Sequence, residues 1–209
     1  MADIIDNRSE KLEDHIRKIL LSSQRAYFAV GYLFLSGLKP FYKELEKLKE
    51  LRLLIGNTTD KETIETLVEG YGSISPVNEE IERWAYRKRA ARREIKAQTK
   101  VHLRHQISAM DQSREDEELI RTIVGLIKRG KLKVRIYTRG RLHAKAYIFD
   151  YGPIYTQNGK RIPREENGIA IVGSSNLSLS GLTHNTELNV IVHGNDNHEA
   201  LKGLSLIHI

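Results

Sequence analysis

The chain contains no cysteine among its 209 residues. That excludes a disulfide framework, a thiolate metal site and a cysteine nucleophile. No apolar run approaches the roughly 18 residues of a membrane span. The first residues, MADIID, do not read as a secretory signal. Acidic side chains are in deficit, with 27 Asp and Glu against 34 Lys and Arg, which leaves a formal charge of +7. Hydrophobic content is 40%, too high for a disordered polar chain. A chain of this size buries roughly 70% of its unfolded surface, so a core forms without staples. The expectation is a soluble, cytoplasmic protein with no cofactor, no metal site and no membrane partner.

The positive excess is concentrated. Between Arg83 and His105 stand nine basic residues (Arg83, Arg87, Lys88, Arg89, Arg92, Arg93, Lys96, Lys100 and Arg104) against the single acid Glu94. A field of this kind suits a polyanion, most often nucleic acid. The plainer alternative is a solvated helix face. Trp84 and Tyr86 at its start either stack on bases or anchor the helix by packing. His102 and His105 have no evident acidic partners and read as part of the basic segment, not as metal ligands.

Hydrophobic periodicity places the elements. Residues 8–22 read as an amphipathic helix with Leu12, Ile16, Ile19 and Leu20 on one side, capped by Asn7 or Ser9. The run from Ala26 to Leu35 reads as a buried strand, and Leu51 to Gly56 as a second. Between them Pro40 suits the first turn of a helix that carries Leu38, Phe41, Leu45 and Leu48. This β-α-β order predicts a parallel pair. Residues 60–130 carry no strand signal; helices are expected at 60–70, at about 78–108, and at 114–129, where Gly130 ends the last. Strands return at Lys131–Thr138, Leu142–Asp150, Ile169–Gly173 and Thr186–His193. A turn-rich hairpin loop spans 151–168. The fold class is α/β: a mixed sheet of about six strands flanked by helices, with a basic helical insertion at about 71–112.

Chemistry gathers between Leu142 and Glu187. With period-2 alternation, His143 and Lys145 share one face of their strand, with Ala144 and Ala146 on the other. A histidine beside a lysine is costly in a core and sensible against an anion. Gly173, Ser174, Ser175 and Asn176 close the next strand. Small residues and an amide there let the backbone approach a ligand and offer donors to phosphate oxygens.

These residues resemble the phospholipase D superfamily, whose signature is H-x-K-x4-D followed by G-S-x-N. The chain reads HAKAYIFD from His143 to Asp150 and GSSN from Gly173 to Asn176. The segments AVGYLFLSGL and LRLLIGN and the element order also resemble the phospholipase D-like domain at the N-terminus of some prokaryotic helicases. One departure is the 22-residue stretch Tyr151–Val172 between the two blocks, longer than is common in the family. It is read as a lengthened hairpin loop.

The resemblance implies metal-free phosphoryl transfer through a phosphohistidine. His143 is then the nucleophile, Lys145 and Asn176 hold the non-bridging oxygens, and Ser174 adds a hydrogen bond. Glu187 corresponds to the family's downstream acid, which orients an active-site histidine, or else is a solvent-facing strand residue. Asp150 and Gly173 are structural members of the motif. No other histidine has a lysine two places on, and no second G-S-x-N block exists. A complete site therefore calls for a homodimer. Residues 1–203 form the expected phospholipase D-like domain. The ending LSLIHI (204–209) reads as a non-native tail, and the whole as a piece of a longer helicase-type chain. Three functions stay open: a nuclease-type phosphodiesterase, a non-catalytic nucleic-acid-binding module, and a phospholipid-processing enzyme.

Overall fold

Apolar strands lie at the centre and amphipathic helices on the two faces. The computed structural model describes residues 4–31, 33–56, 75–76, 113–137 and 142–208. In chain order it contains β1 (Ile4–Ile5), α1 (Leu12–Leu20), β2 (Ser23–Val30), a 3-10 helix (Leu35–Phe41), α2 (Tyr42–Lys47), β3 (Glu50–Gly56) and β4 (Ser75–Pro76). There follow α3 (Arg114–Lys128), β5 (Leu132–Tyr137), β6 (Lys145–Tyr151), β7 (Ile154–Tyr155), β8 (Arg161–Ile162), β9 (Gly168–Gly173), α4 (Leu179–Thr183), β10 (Asn189–Val192) and α5 (Asn195–His208). The main sheet has eight strands in the order β1-β10-β9-β6-β2-β3-β5-β4. Pairing is parallel from β2 through β3 and β5 to β4, and antiparallel from β2 through β6, β9 and β10 to β1. The expected parallel β2–β3 pair is present.

Alternation divides the sheet's faces. Phe28, Leu53, Tyr147, Phe149 and Ile171 enter one core with α1, the 3-10 helix, α2, α3 and α4. Tyr27, Ala146, Ile148 and Ala170 face the other way, where Leu201 of α5 covers them. The aromatic centre is edge-on, with Phe28 5.2 Å from Tyr147 and 5.6 Å from Phe149 between ring centroids.

Several boundaries differ from the sequence expectation. The strand expected from Ala26 to Leu35 stops at Val30. Leu33 and Leu35 are just as buried, but in an irregular stretch and a 3-10 helix. An apolar run records burial, not backbone form. Pro40 lies late in that 3-10 helix rather than opening a helix. The strand expected from Leu142 starts at Lys145, because its partner β2 ends with the pair Val30↔Lys145. The Thr186–His193 strand shrinks to Asn189–Val192, the part that pairs with β9. The stretch read as strand-free contains β4, whose two residues pair with the edge of β5 and are too short to leave a pattern. β1 is a second short edge strand of this kind. The 151–168 loop folds into a separate ribbon of β7 and β8.

α1 starts at Leu12 with Lys11 at the N-cap and no cap bond from that side chain, so neither Asn7 nor Ser9 is the N-cap; Asn7 serves the helix start from four residues further back. Its backbone is left-handed at φ 62°, which asparagine tolerates better than most residues. Its Oδ1 accepts from the Leu12 amide at 2.9 Å, while Nδ2 donates to the carbonyls of Gly181 (2.9 Å) and Asn185 (3.1 Å). The helices expected at 60–70 and 78–108, the insertion at 71–112, and all the basic residues from Arg83 to Arg104 lie outside the described residues.

Candidate active site

β6 and β9 deliver the two motif blocks to the same end of the sheet. His143 is exposed and sits just before β6; Lys145 is the first residue of β6 and half-buried. The Lys145 ammonium donates to the His143 carbonyl at 2.9 Å, which holds its charge beside the histidine. Neighbouring ladders end here too, since the β6–β9 pairing stops at Ala146↔Val172.

Gly31, immediately after β2, is where the blocks meet. A Cβ on Gly31 would lie 2.8 Å from the Leu142 carbonyl oxygen, 3.6 Å from Asn176 Oδ1 and 3.7 Å from His143 Cα. The missing side chain lets the H-x-K segment and the asparagine close on one point of backbone. Gly173 has a similar reason to be glycine, because a Cβ there would collide with the Leu188 carbonyl and the Asn189 side chain.

The G-S-S-N turn is irregular backbone whose two serines are hydrogen-bonded on several sides. The Ser174 amide donates to the Leu188 carbonyl at 3.0 Å. The Ser174 hydroxyl donates to the Glu187 carboxylate and accepts from the Leu188 amide at 3.0 Å. Ser175 turns inward and is fully buried. Its amide donates to Asn189 Oδ1 (3.4 Å), its hydroxyl accepts from Asn189 Nδ2 (2.9 Å), and its carbonyl accepts from the Tyr147 hydroxyl (2.9 Å).

Among the described residues, then, the acid at 187 accepts from Ser174, whose hydroxyl is already engaged by that acid. Asp150 lies apart from this cluster, five residues along β6 and on the opposite face of the sheet. It accepts from the Tyr27 hydroxyl (3.0 Å), pairs with Lys202 (3.0 Å), and approaches His198 Nε2 (3.3 Å). Burial opposes its charge, but the contacts with His198, Lys202 and Tyr27 outweigh burial and hold the carboxyl below the usual range. Asp150 fastens α5 to the sheet.

Sequence reasoning missed Gly31, Tyr147 and Asn189. Gly31 left a faint trace as a glycine interrupting an apolar run at a strand end. Tyr147 and Asn189 left none, since a tyrosine and an asparagine on strands are ordinary until the fold sets both against Ser175.

The sequence profile described as "Cardiolipin synthase, PLD-like domain" matches residues 23–203, most of the chain. The chain belongs to the phospholipase D-like family. Among solved structures, this phospholipase D-like chain is similar to a polyphosphate kinase from Porphyromonas gingivalis, with a TM-score of 0.50 and 11% identity over 98% of this chain and 25% of that one. It is also similar to NucT from Helicobacter pylori, with a TM-score of 0.46 and 12% identity over 98% and 92% of the two chains. A mutant of yeast tyrosyl-DNA phosphodiesterase 1 gives a TM-score of 0.41 and 13% identity over 87% and 27%. At 11% identity the likeness to the polyphosphate kinase is one of fold alone. The phospholipase D-like chain spans a quarter of the length of the polyphosphate kinase. No curated protein sequence matches it.

Proposed function

We propose that this phospholipase D-like chain is a metal-independent phosphodiesterase that cleaves nucleic acid through a phosphohistidine on His143. The observation that carries the reading is the closure of His143 and Asn176 on Gly31, with Lys145 bound to the His143 backbone. In this reading the His143 imidazole, the Lys145 ammonium and the Asn176 side chain surround one phosphorus centre, the arrangement that an in-line attack requires. His143 Nε2 attacks phosphorus and the bond to the leaving oxygen breaks. A second histidine, from the same motif on another copy of the chain, gives that oxygen its proton. Water then attacks the phosphohistidine, its proton returns to the second histidine, and the P–N bond breaks. Lys145 and Asn176 hold the non-bridging oxygens throughout. The Ser174 hydroxyl adds to them when it turns from Glu187.

Nucleic acid is favoured over lipid by the charge of +7 and its concentration between Arg83 and Arg104. Attachment to a helicase-type chain and action in the cytoplasm belong to the same reading, on the resemblance of the AVGYLFLSGL and LRLLIGN segments. A phosphatidyl substrate is the second reading, and the description of the matched family profile favours it. Among the described residues no helix is long and apolar enough to cross a membrane.

The test is cleavage of single- and double-stranded DNA and RNA, with and without EDTA, by the wild type and His143→Ala. The nuclease reading expects activity that survives EDTA, vanishes in His143→Ala and requires a dimer in sedimentation. Salt-dependent binding without cleavage makes the chain a binding module. Hydrolysis of phosphatidyl substrates with DNA untouched moves it to lipids.

A further inference from the structure

The two motif blocks are not joined by sheet hydrogen bonds at the point where they work. The β6–β9 ladder ends at Ala146↔Val172, and Ser174 and Asn176 lie beyond it. Ser174 is bonded to Leu188 and Glu187, and beyond it the turn is held by a pair of buried side chains. Tyr147, two residues after Lys145 on the same strand, gives its hydroxyl to the Ser175 carbonyl at 2.9 Å. Asn189, at the start of β10, grips the same residue at two points, its amide group donating to the hydroxyl (2.9 Å) and its oxygen accepting from the backbone amide (3.4 Å). All three residues have no exposed surface.

We propose that Tyr147 and Asn189 are positioning residues that clamp Ser175 and thereby set Ser174 and Asn176 at their working distance from His143 and Lys145. The proposal rests on the phosphodiesterase reading of the site and adds to it the two residues that organise it. Ser175 is the hinge pin: its neighbours on either side are the two residues offered to phosphate, so fixing its amide, hydroxyl and carbonyl fixes both. The tyrosine is a rigid support, its ring edge-on to Phe28 at 5.2 Å. It is also a donor at every working pH, because burial, reinforced by the nearby charge of Glu187, raises its pKa well above the ordinary phenol. Since Tyr147 and Lys145 share one strand, the clamp ties the phosphate-binding turn directly to the element that carries the ammonium. Donors held in place before the reaction stabilise transition-state charge without reorganising, and a misplacement of about 1 Å costs up to about a hundredfold in rate.

The experiment compares Tyr147→Phe, which removes only the hydroxyl, with the wild type and with both versions in an Asn176→Ala background. The expected result is a kcat lowered about tenfold to a hundredfold with KM within about twofold, the pattern of lost transition-state positioning. In the Asn176→Ala background the same substitution should cost less, because one of the two groups it positions is gone. Equal losses in both backgrounds, or an unchanged kcat, overturn the proposal. If Tyr147→Phe does not fold, Ser175→Ala, which removes one partner of Asn189, carries the same expectation. Amide hydrogen exchange at Ser175, read by NMR, needs no activity: Asn189→Ala should speed it at least about tenfold while Ala170 within β9 stays protected. Unchanged Ser175 exchange overturns the clamp. A wild type that cleaves no phosphodiester refutes the site reading and its kinetic consequence together, and the exchange measurement then decides whether the clamp exists.

Discussion

Replacing Asp150 should separate the architectural part of the H-x-K-x4-D motif from the chemical part. The carboxylate is buried, with Lys202 and Tyr27 each at 3.0 Å and His198 at 3.3 Å. Two unit charges at that separation attract by about 5 kcal/mol gross at an effective dielectric near 20. Desolvation of the groups offsets much of this, so the pair adds little net stability. Truncation is different, because it strands the partners. Removing one member of a buried pair costs about 3–5 kcal/mol. The Lys202 side chain keeps 18% of its surface exposed and has Glu199 at 3.7 Å as an alternative. That relief moves Asp150→Ala to the lower end, about 3 kcal/mol. Asp150→Asn keeps an acceptor for Tyr27 and loses the charge, for about 1–2 kcal/mol. Urea denaturation at pH 7 reads both values.

The pH dependence gives a second reading of the same contact. A carboxyl held below its ordinary value of about 3.9 contributes stability that is fully present above that pH and is lost as pH falls through the lower folded value. Asp150→Asn should remove that acid-labile component. Lys145 is five residues away along β6, about 17 Å of strand, so kcat per folded molecule should be unaffected. A loss below about 0.5 kcal/mol in Asp150→Ala, or an acid profile identical in Asp150→Asn, refutes the assignment of Asp150 as the anchor of α5.

Gly31→Ala brings a methyl to 2.8 Å from the Leu142 carbonyl. It should cost about 1–3 kcal/mol and lower kcat/KM more than tenfold by parting His143 from Asn176; wild-type kinetics would show that the close approach is dispensable. Asn7→Ala removes the acceptor of the Leu12 amide and the two hydrogen bonds that its Nδ2 donates, and places alanine at φ 62°. Thermal or urea melts should report a loss of about 1–2 kcal/mol, with Asn7→Gly milder because glycine accepts that backbone.

What was legible in the sequence follows from how local each signal is. The core strands β2, β3, β6 and β9 announce themselves as short, largely apolar runs bounded by turn or polar residues, and β5 by its alternation of apolar and basic residues. β1 and β4 do not, since two residues carry no periodicity and exist as strands only because an edge accepts them. The division of Leu33 and Leu35 from β2 is invisible for a related reason. The core rewards their burial whatever the backbone does. The lengthened loop was visible as length, but not as the β7–β8 ribbon, whose Ile154, Tyr155 and Ile162 are exposed and so break the rule that apolar residues mark a core.

By itself the sequence determined the two motif blocks, their order on successive β-rich segments, and the α/β class, because these depend on residue type and spacing along the chain. Tertiary structure alone decided that His143 and Asn176 meet over Gly31, that Glu187 engages Ser174, that Asp150 works on the far face, and that Tyr147 and Asn189 close on Ser175. Those relations join residues 13 to 145 positions apart along the chain, and sheet order and side-chain alternation, not proximity in sequence, bring them together.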